Sequence, residues 1–422
     1  MFYDKDFDWN AGDRQVSDLA DWKERFEWVE DPVISLDGTQ VAAVAKIADE
    51  DLFTVCVNGE DWPHPFEKIW NLRYAPDGRL TALIQTDGLW TLAVDGEAWE
   101  QTFDFAWNPL FSHDGSDMAL CVQVEGEYGI AVNGTPWETL YPNANNACMS
   151  LAGNRTAAAV QTVPLGQAET DKFQSGIFST AVDGETWSKN FVNVWGIAFS
   201  PDGSKVAAEV RLNLYEYSIA VDGKPWRGSF AGVWEPVFSP NGKRVAAPVR
   251  QAGKWTLAVD GERAWKNDYF QLWQQRFTPD GKSIAAIVSP RFGKWTVAVD
   301  DIPWTTAHDV VKGLAVSPDG KRFAAAAGRP GDWTVIVDDR PWDASFERVW
   351  NPVFSQDGRR VMVMAEVKGH RVIAVDGTIW GLEAGICLDP LFSPDGSMLL
   401  VKCLEGHKYI RRVASLNDLG AA

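Results

Sequence analysis

One turn recurs ten times along this chain, and that recurrence excludes most folds. Glycines closing Ser-Pro-Asp-Gly-like turns stand at Gly38, Gly78, Gly115, Gly153, Gly203, Gly242, Gly281, Gly320, Gly358 and Gly396. Their steps are 40, 37, 38, 50, 39, 39, 39, 38 and 38 residues. A repeat of this size cannot bury its apolar face alone, so successive copies must pack on one another. Only the fourth step is stretched, by about 11 residues.

Aligned copies such as VFSPNGKRVAAPVRQAGKWTLAVDGERAW and RFTPDGKSIAAIVSPRFGKWTVAVDDIPW share one order. An apolar run, a turn, a second apolar run, a variable turn, a third run, an Asp-Gly-like turn and a tryptophan follow one another. Short Val-, Phe-, Ile- and Ala-rich runs bounded by Asp-Gly or Asn-Gly are the strongest local hairpin signal. Each repeat is therefore expected to hold four strands, A to D; in the ninth, A is Pro352–Ser355, B Arg360–Met364 and C Val372–Val375, with D around and after the tryptophan. Four antiparallel strands every ~40 residues make a propeller blade. The expected fold is all-β, a single closed β-propeller of about ten four-stranded blades.

The tryptophans say how such an array would end. Nine follow the second turn: Trp62, Trp99, Trp137, Trp187, Trp226, Trp265, Trp304, Trp342 and Trp380. The tenth repeat lacks one, while Trp22 lies 40 residues before Trp62, in register with the series. The N-terminal segment is thus expected to complete the last blade, removing exposed sheet edges. The expected organisation is an aromatic and acidic extension over 1–21, the propeller over 22–414 and a tail over 415–422.

The motifs carry a resemblance. FSPDGSK at Phe199–Lys205, FSPNGK at Phe238–Lys243 and FTPDGK at Phe277–Lys282 resemble the WD40-like repeats of TolB-type propellers. The 22 tryptophans of an acidic propeller without an evident leader resemble the tryptophan-rich subunit of the Tmc complex, a transmembrane redox complex of sulfate-reducing bacteria. That second resemblance implies a cofactor-free cytoplasmic subunit beside an iron–sulfur protein and a membrane cytochrome b.

Composition narrows the function classes. A net charge of −19 repels phosphate, so nucleic acid and bare anionic lipid are not expected partners. No stretch nears the ~20 apolar residues of a membrane span, and the start MFYDKDFDWNAGD lacks a leader's basic and apolar regions, so a cytoplasmic location is expected, peripheral to the inner membrane at most through partners. Five scattered cysteines without CxxC spacing support neither a disulfide framework nor a zinc site. No catalytic fingerprint occurs, and the repeated aspartates read as turn residues, because a catalytic constellation would occur once. His370 and His407 occupy equivalent turns of the last two repeats but have no third metal ligand. No cofactor, metal or catalytic residue is assigned, and the chain is expected not to be an enzyme.

Two groups of residues are candidates for binding. Trp70, Trp107, Trp195, Trp234, Trp273 and Trp350 precede strand A and would line a channel mouth, as an aromatic funnel or as a structural rim. The B–C turns are the variable ones. In repeats one to four they lean acidic (Ala48–Asp51, Thr86–Gly88, Glu125–Glu127, Gln167–Lys172), and in repeats five to eight basic, with Arg211, Arg250, Lys254, Arg291, Lys294 and Arg329. Such a two-signed face suits orienting a protein partner. Phe173 in the Pro164–Gly176 insertion, and Phe2, Tyr3, Phe7 and Trp9 at the N-terminus, would add apolar contacts or fold back on the chain itself. The expected function is a non-catalytic interaction scaffold, a subunit of a larger electron-transfer complex; the alternative is a ligand-binding or hydrolytic propeller with its site at the channel mouth.

Overall fold

In the computed structural model, which describes residues 7–380 and 386–417, the recurring turn closes through its own side chains. In the fifth repeat Ser200 Oγ donates to Asp202 Oδ1 at 2.6 Å, and the Ser204 N–H donates to the same oxygen at 3.1 Å. Gly203 takes φ +70° there, a conformation glycine reaches without steric cost. The same glycine lets two blades approach closely, since a β-carbon on it would stand 3.3 Å from Ser150 Cβ in the preceding blade. The Asp222-Gly223 turn has φ +47° and +76°, the pair that a tight hairpin demands. Asp222 Oδ1 also accepts the Val206 N–H at 2.9 Å, tying the C–D turn to the start of strand B. Asp95, Asp183, Asp260 and Asp376 make the same bond in their own blades. The repeated aspartates are structural.

Ten antiparallel sheets result, each in the order A-B-C-D, so the chain has the all-β architecture of a β-propeller with ten four-stranded blades. In the fifth blade A is Asn193–Phe199, B Val206–Arg211, C Tyr217–Val221 and D Lys224–Pro225. In the first, sixth and ninth blades strand A is broken into two short pieces, as at Gly232–Val233 and Val237–Phe238. Strands B and C are covered on both faces: Val41, Ala42, Ala43, Val44 and Ala45 are all buried. That is why strand B reads as an unbroken apolar run and not as an alternation. Among the described residues, α-helix is confined to α1 (Ala20–Arg25) and α2 (Thr170–Gln174), the latter within the insertion of the fourth repeat.

The chain divides into two compact units, residues 1–65 with 278–422 and residues 66–277. In the second unit, strands A of the third to seventh blades stand side by side as an inner edge. Consecutive blades lean on the tryptophans that follow each C–D turn. A β-carbon on Gly184, Gly223 or Gly261 would lie 3.1 Å from Trp137, Trp187 or Trp226 of the preceding blade. Trp137 Nε1 donates to Thr156 Oγ1 of the next blade at 2.9 Å. In the first unit Gly358 and Gly396 rest on Ser317 and Ser355 of the preceding blades, and Gly377 on Trp342.

The two chain ends share one sheet within the first unit. The strand Gly12–Asp18 pairs antiparallel with Lys408–Ser415, from Gly12 opposite Val413 to Asp18 opposite Lys408. Arg412 donates to both carboxylate oxygens of Asp13 at 2.7 and 2.6 Å. The tenth and first blades then pack as other neighbours do, Gly38 resting on Tyr409, Arg411 and Lys402. Tyr409 Oη donates to Gly38 O at 2.9 Å.

The N-terminal strand therefore completes the last blade, but not where the tryptophan register placed it. Trp22 lies on α1, 2% exposed, in a cluster with Val41, Ala43, Cys56 and Tyr409. The strand position that Trp187 fills opposite Thr180, and Trp226 opposite Ile219, is filled here by Arg14 opposite Arg411. A helix advances ~1.5 Å per residue and a strand ~3.3 Å, so counting back through α1 reaches the wrong residue. Residues 12–18 thus belong to the tenth blade, although the expected extension spanned 1–21.

Candidate functional site

Strand A carries the inner edge and, in most blades, one residue in the left-handed region. Asn71, Asn108, Asn146, Gly196 and Gln274 have φ between +47° and +55°. In blades two to five the pairing of A with B slips at this residue, as between Trp195 and Ala198. Such a bulge bends the strand and re-aims the side chains beside it. Just before Asn71, Asn108, Gly196 and Gln274 stands a tryptophan of the second set, while Asn145 holds that place before Asn146. In the second unit Trp70 is 59% exposed, Trp234 and Trp273 are exposed, and Trp107 and Trp195 are half-buried. Trp350 in the first unit is half-buried, with the Arg371 guanidinium over its ring.

These tryptophans join the first aromatic residue of strand C. Trp195 stacks on Tyr217 with centroids 6.4 Å apart, and Trp234 on Trp255 at 5.3 Å. Trp90, Phe105, Trp107 and Tyr128 continue as a row from the second blade to the third, with centroids 5.7 to 6.1 Å apart. The blade ends that carry the B–C and D–A connections also hold every exposed aromatic among the described residues. Six belong to the second unit, Trp70, Phe105, Tyr215, Trp234, Phe270 and Trp273, and two to the first, Trp28 and Phe292. Tyr215 and Phe292, in B–C turns, are 81% and 86% exposed.

The basic residues of the B–C turns lie at the same blade ends but are unequally free. Arg211 donates to Asn213 O and Leu214 O of its own turn, at 3.1 and 2.7 Å. Lys254 lies over the Phe270 ring, Lys294 pairs with Asp309 at 2.6 Å, and Arg329 pairs with Asp332 at 3.4 Å. Among the described residues, Arg250 and Arg291 have no side-chain partner. On the acidic side, Glu67 and Asp104 accept backbone N–H groups of Gly88 and Glu125, capping neighbouring turns. Phe173 is half-buried on α2. Phe7 and Trp9 are half-buried and stack on each other at 6.3 Å, while Arg411 donates to the Asp8 carbonyl between them. Phe2 and Tyr3 lie outside the described residues.

Sequence reasoning missed a second feature, a pocket of about 310 Å³ at the inner edge of the fourth to sixth blades. Its wall comprises Asn146, Ala147, Cys148, Gly196, Ile197, Ala198, Glu235 and Pro236. Behind Gly196, on strand B, stands Glu209, only 8% exposed. A β-carbon on Gly196 would fall 2.6 Å from Glu209 Oε1, so the carboxyl fills the space that the missing side chain leaves. Burial, with the Glu235 carboxylate added, pushes Glu209 up to about 7. Among the described residues neither carboxyl has a hydrogen-bond or ion-pair partner. Gln275 Nε2 of the next blade donates to the Glu235 carbonyl at 2.5 Å, holding its backbone at the pocket wall. The Cys148 thiol is pushed up to about 12 by burial and stays neutral. A signal for Glu209 did exist: the strand-B position opposite the inner-strand tryptophan is apolar in the sister blades, as at Leu83, Cys121 and Pro248.

Among the described residues, no three metal-donor side chains converge, and no helix is long and apolar enough to cross a membrane. No known family matches the chain, and no curated protein matches it. Solved structures similar to it include the Dos1 propeller, 11% identical, covering 74% of this chain and 92% of that one, with a TM-score of 0.40. They also include a TolB from Agrobacterium tumefaciens, 19% identical, covering 44% of this chain and 74% of that one, with a TM-score of 0.28.

Proposed function

We propose that this chain is a non-catalytic protein-interaction scaffold, a subunit of a larger assembly that docks on the blade ends bearing the B–C turns. The observation that carries this reading is the confinement of all exposed aromatics among the described residues to those ends, beside the unpaired Arg250 and Arg291. Rigid aromatics with charged neighbours supply contact area and orientation at low entropic cost. The abundance of tryptophan extends the reading to a cytoplasmic-side subunit of an electron-transfer complex, next to an iron–sulfur protein and a membrane cytochrome b. That extension rests on composition and repeat style.

The test is co-purification from the native source with two variants. One reverses charge at Arg250, Arg291 and Arg329; the other replaces Trp70, Trp234 and Trp273 by serine. Loss of co-purifying subunits at an unchanged unfolding midpoint supports the scaffold. Full retention with both variants overturns it. The pocket beside Glu209 favours a second reading, ligand binding at the inner edge, which is compatible with the first.

A further inference from the structure

The pocket of the fourth to sixth blades combines two carboxyls of opposite standing with an apolar wall. Glu235 lies on the open wall, and Glu209 is buried behind Gly196 without a partner. A buried carboxyl ordinarily has a hydrogen bond or a cation beside it, because leaving it bare costs several kcal/mol. Here the nearest charge is a second carboxylate, which makes matters worse. The backbone also makes room for it: Gly196, on the pocket wall at φ +47°, has no β-carbon, and Glu209 Oε1 lies 2.6 Å from where one would stand. A turn-forming or packing role explains neither the charge nor the gap.

Resting on the ligand-binding reading above, we propose that this pocket binds the ammonium group of an alkylamine, held between Glu209 and Glu235, with the alkyl stem along Ala147, Ile197 and Pro236. A bound cation would supply what Glu209 lacks and relieve its repulsion from Glu235. A divalent metal fits less well. Calcium takes six to eight oxygen ligands, and the wall offers only the Glu235 carboxyl and the Asn146 amide among apolar side chains, with Glu209 behind Gly196. An alkylammonium has the matching halves, a charged head and an apolar stem. The amine could belong to a free small molecule or to a lysine of a bound protein, and the two sources are separable by experiment.

The probe is n-butylammonium, titrated into the full chain by calorimetry against 1-butanol, which has the same stem and no charge. Binding at least tenfold tighter for the amine is expected, with Glu209→Gln and Glu235→Gln each weakening it fivefold or more. N-acetyl-lysine methylamide binding as tightly as butylammonium assigns the site to a protein lysine; its exclusion assigns the site to a free amine. Equal affinity for amine and alcohol, or no change in both variants, overturns the proposal, as does displacement of the amine by micromolar calcium. Glu235 lies on the open wall, so its variant keeps the test valid if the Glu209 variant fails to fold. Loss of amine binding with intact co-purification, or the reverse, separates this site from the scaffold surface.

Discussion

The fifth and tenth blades carry a charge at the same place in the repeat, and the contrast between them is instructive. Glu209 stands on strand B opposite Trp195, and Lys402 on strand B opposite Leu388. Both are nearly inaccessible, at 8% and 3% exposed. Around Lys402 the charges balance: burial lowers its proton affinity, while Asp389 at the strand-A bulge and Asp37 in the adjoining blade both raise it. Around Glu209 they do not, since glycine replaces the bulge residue and the neighbouring blade contributes another carboxylate. One buried charge has its counter-ions built in, and the other is left for something that is not part of the chain. The lesson is that a repeat tolerates a charge in its core if a neighbour compensates it, and an uncompensated one marks a site.

The comparison can be broken from either side. Lys402→Glu would place a third carboxylate beside Asp37 and Asp389, and is expected to cost about 3–5 kcal/mol in urea unfolding. A loss below 1 kcal/mol would mean that the compensation is not electrostatic. At Glu209 the effect lies in the pH dependence. Its folded-state value near 7 stands above the ordinary 4.5, so its contribution is fully present below pH 4.5 and is lost as pH rises through 7. At ~1.4 kcal/mol per pH unit, wild type should lose on the order of 3 kcal/mol relative to Glu209→Gln between pH 4.5 and 7.5. Parallel stability curves for the two proteins would remove the asymmetry. Gly196→Ala should cost about 1–3 kcal/mol, part from its left-handed backbone and part from the Glu209 carboxyl. Glu209→Ala in the same chain should return the second part, and a thermal-melt double-mutant cycle reads the coupling. The smallest effect belongs to the exposed face. Serine at Trp70, 59% exposed, should shift stability by no more than ~0.5 kcal/mol, and at Trp234, which stacks on Trp255, by about 0.5–1.5 kcal/mol, while affinity for the partner falls; a larger melting shift at Trp70 would make that ring structural.

Much of this was legible in the residues because repeats multiply weak signals. A lone Asp-Gly is a modest hint of a hairpin, but Asp95, Asp183, Asp222, Asp260 and Asp376 at constant spacing imply one bond made many times, from the aspartate to the start of strand B. The tryptophans after the C–D turns were readable as blade contacts for the same reason. Repetition misled once, at Trp22, where α1 put a helical rise into a count calibrated on strands. It also hid the pocket. Glu209 and Lys402 depart from the pattern, and attention trained on what recurs passes over the exceptions.

Local chemistry along the chain thus settles the strands, the turns, their tenfold count and the sharing of the last blade by both termini. The strands, turns and count depend on neighbours within about 40 residues, and the shared blade on a register that runs from end to end and on the need to cover sheet edges. The amino-acid order could not say that Gly196, Glu209 and Glu235 meet, or that Arg250 is bare while Lys294 is paired. Those outcomes depend on which side chains from separate blades share a few ångströms, and a carboxyl's charge depends on burial and on the charges beside it.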